Sequence, residues 1–359
     1  MIAANAPVQR RSDAKLLVID ANGRITDAPR SALPTLLRRF DLLVANDAMT
    51  LPGSLAGVHV PTGRAIEVRL AGCRSLVDAI GRFTGVVFGA GDFRTRTEDR
   101  PLPPTLAGGD RLALGPLRAT IERTLDHPRL VALRFEGTPA SIWDGIAHHG
   151  CPIQYAHMPT RLAMWDVWTP IAGAALAFES PSAGFVLDWK TLAAIRARGA
   201  QFVTVTHAAG LSSTGDADLD RRLPLDEPYR IPGTAARAIA EAKRRGGRVI
   251  AVGTTVVRAL EHAASRDGIV QAGNAVATQR IGAETAVHVV DAIVSGTHEP
   301  GTSHFELLRA FADDLTLRRA ATELEARGYR THEFGDSVFI ERRVRCPACA
   351  SGHEPRLAA

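Results

Sequence analysis

A chain of 359 residues, 45% apolar and 23% charged, has the balance of a soluble globular protein and the length for two domains. No apolar run reaches the length of a membrane span, and the start, Met1-Ile-Ala-Ala-Asn-Ala-Pro7, lacks the charged opening and long apolar core of a secretory leader. Four cysteines exclude a disulfide scaffold and point to a reducing cytoplasm, while a net charge of +5 permits a polyanionic partner without requiring one.

Residues 15–20 read as a strand, Asn22-Gly23 as a hairpin turn and 24–27 as the return strand. Residues 33–39 fit a short helix. Residues 41–45 form a buried strand ending on Asn46-Asp47, which serve either as turn formers or as site residues. From 57 to 150 the character changes: short alternating runs at 65–70, 85–88, 117–122 and 129–135 are separated by Gly- and Pro-rich turns. That pattern predicts a small all-β, barrel-like domain inserted into a discontinuous α/β domain of residues 1–56 and 151–345, with a tail at 346–359.

Beyond Pro159 helices return. Residues 174–178 are strand-like, Ser182-Ala-Gly184 is a turn, and 189–198 is a helix closed by Gly199. Residues 201–206 form a strand delivering His207, and 234–245 a helix closed by Gly246. Residues 248–252 are a buried β-branched strand that breaks at Gly253-Thr254-Thr255 into a helix carrying Val256, Val257, Leu260 and Ala264 at helical spacing. Residues 286–294 are apolar and β-branched, 304–312 and 317–327 are helical, and 337–341 closes as a strand. The alternation predicts an α/β fold: a mixed or parallel sheet with flanking helices.

A strand that turns through glycine into a helix gathers backbone N–H groups and two hydroxyls at the carboxyl end of a strand, where open α/β sheets bind ligands. Equally, the threonines can cap the helix, and Arg258 and Glu261, three apart on one face, can form a surface pair. There is no Walker A lysine loop, no G-x-G-x-x-G after a strand and no G-x-S-x-G elbow. Cys346-Pro-Ala-Cys349 with His353 offers three neighbouring ligands where structural zinc takes four, and Cys73 and Cys151 are distant in sequence; an outside fourth ligand would complete a site, but an incidental pair is the favoured reading and no metal is expected. His207, His298 and His304 fall where strands or turns end, as general bases or as satisfied turn residues. Residues alone therefore give a candidate cleft near Asp47, His207 and Thr254, without a reaction.

The run from Val249 to Glu261, Val-Ile-Ala-Val-Gly-Thr-Thr-Val-Val-Arg-Ala-Leu-Glu, resembles the signature of the S-adenosylmethionine:tRNA ribosyltransferase-isomerase family of queuosine synthesis. In family order, Asn46-Asp47 with Pro52, Pro152 with Tyr155, Ser182-Ala-Gly184, His207, Glu227 with Ile231-Pro232, Thr297-His298-Glu-Pro300 with Ala310-Phe-Ala312, and Phe334-Gly-Asp336 resemble its other motifs, across residues 11–341. The resemblance implies an α/β domain with an inserted β-barrel. It also implies transfer and isomerisation of the ribosyl unit of S-adenosylmethionine, used as a substrate, onto 7-aminomethyl-7-deazaguanine in tRNA, with release of methionine and adenine. In such a reaction the amine attacks C5′ and displaces the methionine thioether. A base removes a proton near the activated carbon, and adenine is helped off.

On that resemblance the catalytic candidates are Asp47, His207, Thr254, Thr255, Arg258, Glu261, His298 and Asp336, with Ser182, Gly184, Gly253 and Phe334 around the S-adenosylmethionine. Arg258 would orient a carboxylate, either Glu261 or the methionine moiety. The expected partner is tRNA, the expected state a monomer in the cytoplasm, with no membrane and no metal. Departures from the family pattern stand at Met49 and Ser54, where arginines are lost, and at Val186 and Leu225, where histidines are lost. An arginine's bidentate contact does not survive such a change. Those losses keep two alternatives in view: a paralogue using S-adenosylmethionine on another acceptor, and a non-catalytic RNA- or ligand-binding relative.

Overall fold

The computed structural model describes residues 2–7, 11, 13–73, 76 and 81–343; Cys346, Cys349 and His353 lie outside the described residues. Nine strands make one mixed sheet, in the order Gly273–Ala277, Glu227–Ile231, Gln201–His207, Leu42–Asn46, Val249–Val252, Ala292–Gly296, Ser337–Glu341, Lys15–Ile19 and Ile25–Pro29. The four strands from Gln201–His207 to Ala292–Gly296 run parallel, so their carboxyl ends line up along one edge.

The central strands are apolar because both faces are covered. Successive side chains point to opposite faces, and the two cores divide accordingly. Leu42, Val44, Val249 and Ala251 pack with Ile239, Val256, Leu260, Leu317 and Leu324 of the helices Gly233–Arg244, Thr254–Ala263 and Asp314–Ala326. Leu43, Ala45, Ile250 and Val252 pack with Leu33, Leu192, Ile195 and Phe339 on the other side.

A second body is a closed antiparallel barrel of six strands: Ser54–His59, Arg64–Gly72, Arg82–Phe88, Arg111–Leu114, Leu117–Thr124 and Leu130–Phe135. The chain enters and leaves it at one neck, where Ser54 and Cys151 exchange backbone hydrogen bonds of 2.9 and 3.0 Å. The helix Pro139–His149 packs Ile142 and Ile146 into the barrel core. It follows a strand without a long apolar stripe, and its start is set by Pro139 and by Thr138, which accepts from the Ser141 N–H. The barrel core does not end at the neck: Phe178, Ala208, Leu211 and Leu219, all from the later chain, complete it.

Three local differences from the sequence reading have physical causes. The helix expected at 33–39 is a 3₁₀ helix, Arg30–Leu36, whose Pro34 has no N–H to give to an α-helical ladder. The apolar run 286–294 is strand only over Ala292–Gly296, because the amides of residues 288–290 bond to Glu261 instead. Two further strands, Glu227–Ile231 and Gly273–Ala277, lie at the sheet edge. Pro228 in one and the exposed Gly-Asn-Ala start of the other hide them from a propensity reading.

Candidate active site

A cavity of about 340 Å³ opens at the carboxyl ends of the parallel strands. Two larger hollows lie at the opposite end, around Arg38, Arg39 and Arg198 and around Arg248, Arg342 and Arg343. Arginines there are already engaged: Arg248 pairs with Asp41 and Glu341, and Arg342 with Asp291. The smaller cavity is where strand ends, a helix N-terminus and buried titratable groups converge, the usual setting of a site in such a sheet.

Gly253 forms the turn into the helix Thr254–Ala263 at φ 99°, a backbone conformation that favours glycine, and its N–H donates to the Val294 carbonyl at 2.8 Å. Gly253 is the N-cap and Thr254 and Thr255 follow it inside the helix, so neither threonine is the cap; both line the cavity, and the Thr255 hydroxyl accepts from the Asn46 side chain at 3.5 Å. The helix N-terminus and two hydroxyls thus face the hollow, an arrangement suited to an anion. Ser182 lines the same wall from the 3₁₀ turn Ser182–Val186.

Arg258 and Glu261 are not a surface pair, nor do they bond each other. Arg258 is buried, donates to Glu227, and gives further hydrogen bonds to the carbonyls of Leu225 at 3.2 Å, Ala277 at 3.0 Å and Gln279 at 3.3 Å. Glu227 also accepts from the Gly210 N–H at 2.6 Å. Burial pushes the Glu227 carboxyl up, and Arg258 and that N–H pull it back. Glu261 accepts from the N–H groups of His288, Val289 and Val290 at 2.8 to 2.9 Å, fastening the loop before the strand Ala292–Gly296.

His298 lines the cavity, accepts or donates at 3.1 Å with the Ser295 hydroxyl, and stacks on His304 at 4.7 Å between ring centroids. Burial lowers both rings below the usual imidazole range, His304 to about 4, so both are neutral near pH 7. His207 sits behind the wall, fully buried, its ring stacked on Tyr229 and its Nε2 3.6 Å from Glu227. Neither of its ring nitrogens makes a hydrogen bond among the described residues, and burial followed by the Arg258 charge holds it well below its ordinary value.

The remaining sequence candidates lie outside the cavity wall. Asp47 accepts from the Thr206 hydroxyl at 2.7 Å. Its neighbour Asn46 links the strand ends, accepting from the N–H groups of His207 at 2.9 Å and Ala48 at 3.0 Å and donating to the His207 carbonyl at 2.9 Å. Asp336 accepts from Arg11, from the Lys15 N–H and from the Arg330 N–H, all at 2.8 to 2.9 Å. Gly184 packs on Thr169, and Phe334 packs in a small core against Phe185 with ring centroids 5.7 Å apart.

Sequence reasoning missed other cavity groups. Glu179 accepts from the Tyr155 hydroxyl and from the Ser212 N–H at 3.1 Å, and burial, then the nearby Glu333 charge, raises it to about 7. Arg221 and Arg280 stand at the lip, where Arg280 donates to the Arg221 carbonyl at 2.8 Å. The sequence signal for Glu179 was a lone carboxylate directly after the strand-like run 174–178 and before Ser180-Pro181.

The family described as queuosine biosynthesis protein matches residues 1–340. The S-adenosylmethionine:tRNA ribosyltransferase-isomerase of Thiobacillus denitrificans is 31% identical over 95% of this chain and 94% of its own. The protein of the same name from Chlorobaculum parvum is 31% identical over 94% of this chain and 95% of its own. The crystal structure of S-adenosylmethionine tRNA ribosyltransferase from Thermotoga maritima shares the fold, with a TM-score of 0.50 at 22% identity, covering 94% of this chain and 96% of that one. By the span of the family match and the length over which its relatives align, the chain belongs to the queuosine biosynthesis protein family.

Proposed function

We propose that this chain is an S-adenosylmethionine:tRNA ribosyltransferase-isomerase. It moves the ribosyl unit of S-adenosylmethionine to 7-aminomethyl-7-deazaguanine in tRNA, forming epoxyqueuosine and releasing methionine and adenine. The observation that carries this is the end-to-end likeness to enzymes of that name, at 31% identity over 95% of the chain.

The cavity supports it. Its volume is that of a small-molecule site. S-adenosylmethionine needs an anion site for its methionine carboxylate, a negative environment for its sulfonium and an apolar surface for adenine. The N-terminus of the helix Thr254–Ala263, the carboxylates Glu179 and Glu227, and the apolar side chains Leu211, Leu223, Ile281 and Leu307 supply these in one hollow. Thr254, Thr255 and Ser182 would hold the carboxylate end, and Gly253 allows close backbone approach. His298 and His304, neutral, would donate or accept hydrogen bonds to ribose or base. Arg258, spent on Glu227 and three carbonyls, keeps the wall in shape rather than reaching for substrate. Arg280 at the lip suits the phosphates of an RNA substrate, beside Arg221, which pairs with Asp218.

The departures at Met49, Ser54, Val186 and Leu225 do not line the cavity. Ser54 bonds Glu67 at the neck at 2.6 Å and Val186 is core. That none of the four lines the cavity supports the transferase over the two alternatives. The test is a product assay by mass spectrometry with S-adenosylmethionine and tRNA carrying 7-aminomethyl-7-deazaguanine. Adenine, methionine and the mass of epoxyqueuosine are expected together. S-adenosylmethionine binding without any of them would point to another acceptor, and neither binding nor turnover would remove the enzymatic reading.

A further inference from the structure

The reaction needs one group that can take a proton inside the cavity, and the lining residues can be sorted for it. Asp220 is committed to its own loop, accepting from the Thr214 N–H and hydroxyl at 2.6 Å each and from Ser213 at 3.3 Å. Glu306 pairs with Arg309 at 2.7 Å. Glu227 is held by Arg258 and the Gly210 N–H. His298 and His304 are poor bases, because burial and their neighbouring charges depress their proton affinity.

Glu179 differs from each of these. It is buried at 8% exposure, lines the cavity, and has no ion-pair partner among the described residues. One carboxylate oxygen accepts from the Tyr155 hydroxyl and the other from the Ser212 N–H, so each keeps a lone pair. Its backbone is fixed beside the loop that follows His207: the Phe178 N–H donates to Ala209 at 2.9 Å. The charged and titratable groups facing it are Tyr155, Glu333 and Arg69, whose guanidinium lies 5.4 Å from the Tyr155 ring centroid; Glu333 in turn is held by His157 at 3.2 Å. Burial and the Glu179 charge raise the Tyr155 hydroxyl well above its usual range, so it stays a donor.

We infer that Glu179 is the general base of the transfer reaction and Tyr155 its positioning residue; the assignment rests on the transferase reading above. The carboxylate takes the proton from the carbon bonded to the sulfonium. The C–H electron pair becomes a second bond to the neighbouring ring carbon, and the carboxyl becomes neutral. That carbon's bond to the ring oxygen breaks, the freed pair becomes the second bond of a carbonyl at the anomeric carbon, and the glycosidic pair leaves on adenine. The same carboxyl returns the proton to the departing base, so Glu179 ends as it began.

The sign of the pH dependence follows. A base raised to about 7 is active once deprotonated, so turnover climbs as pH rises through that value and then levels. Glu179→Gln keeps shape and most hydrogen bonding. At saturating S-adenosylmethionine it is expected to lower the single-turnover rate on the order of 10²- to 10⁴-fold and to abolish the rising limb. Tyr155→Phe removes a hydrogen bond that favours the charged carboxylate, so it should move the limb to higher pH with a smaller loss of the plateau rate. If wild-type protein forms the modified nucleoside and Glu179→Gln keeps its rate within about threefold with the limb intact, this assignment falls and the transferase reading stands. If wild-type protein forms none, the transferase reading falls, and this assignment with it.

Discussion

Arg258 lines the cavity, yet its side chain is bonded to the wall itself. Among the described residues its side-chain hydrogen bonds go to Glu227 and to carbonyls on the edge strand Gly273–Ala277, the loop after it and Leu225. Removing one partner of such a buried pair leaves the other charge unpaired, which costs about 3–5 kcal/mol, whereas replacing both with apolar groups is far less damaging. Arg258→Met is therefore expected to lose that much in urea unfolding, and the double variant Arg258→Met with Glu227→Leu to recover most of it. Equal losses in the single and double variants would mean that the carbonyl contacts, not the charge pair, are what Arg258 contributes.

At the scale of elements, the helix Thr254–Ala263 is held at both ends by interactions that a sequence displays only in part. Its start was legible: a β-branched run, a glycine and two threonines gave both the turn and its place at the sheet edge. Its partners were not. The 3.6-residue period puts Arg258 and Glu261 on one face, but which groups meet that face depends on strand order, and the strands Glu227–Ile231 and Gly273–Ala277 carry weak local signals. Glu261 accordingly binds three amides more than 25 residues away rather than its helical neighbour. Glu261→Ala leaves these N–H groups without their acceptor, at on the order of 3 kcal/mol or more. The expected result is a large drop in the urea midpoint, with hydrogen exchange faster at residues 288–290 than in the strand that follows. Asp47 and Asp336 stand outside the cavity wall for the same reason: polar residues at strand ends are drawn to backbone and to neighbouring side chains as readily as to ligands. Glu179 escaped notice because its meaning comes from Tyr155 and Ser212, which lie 24 and 33 residues away and meet it only in the folded chain.

For the molecule as a whole, the sheet and the barrel are joined by more than their neck. Phe178, Ala208, Leu211 and Leu219 belong by chain position to the part that builds the sheet edge and the cavity, yet they fill the barrel's interior together with Leu55, Val68, Phe83 and Leu133. Phe178 meets Phe83 edge-on at 6.1 Å, immediately before Glu179. A barrel that melted alone would uncover those side chains and release the carboxylate's own backbone. The two bodies should therefore share one heat-absorption peak in scanning calorimetry, with calorimetric and van't Hoff enthalpies in agreement; two resolved peaks would contradict this. Heat or mutation that loosens the barrel should silence the enzyme at the same temperature at which it unfolds it, because the chain has no way to lose one half and keep the other working.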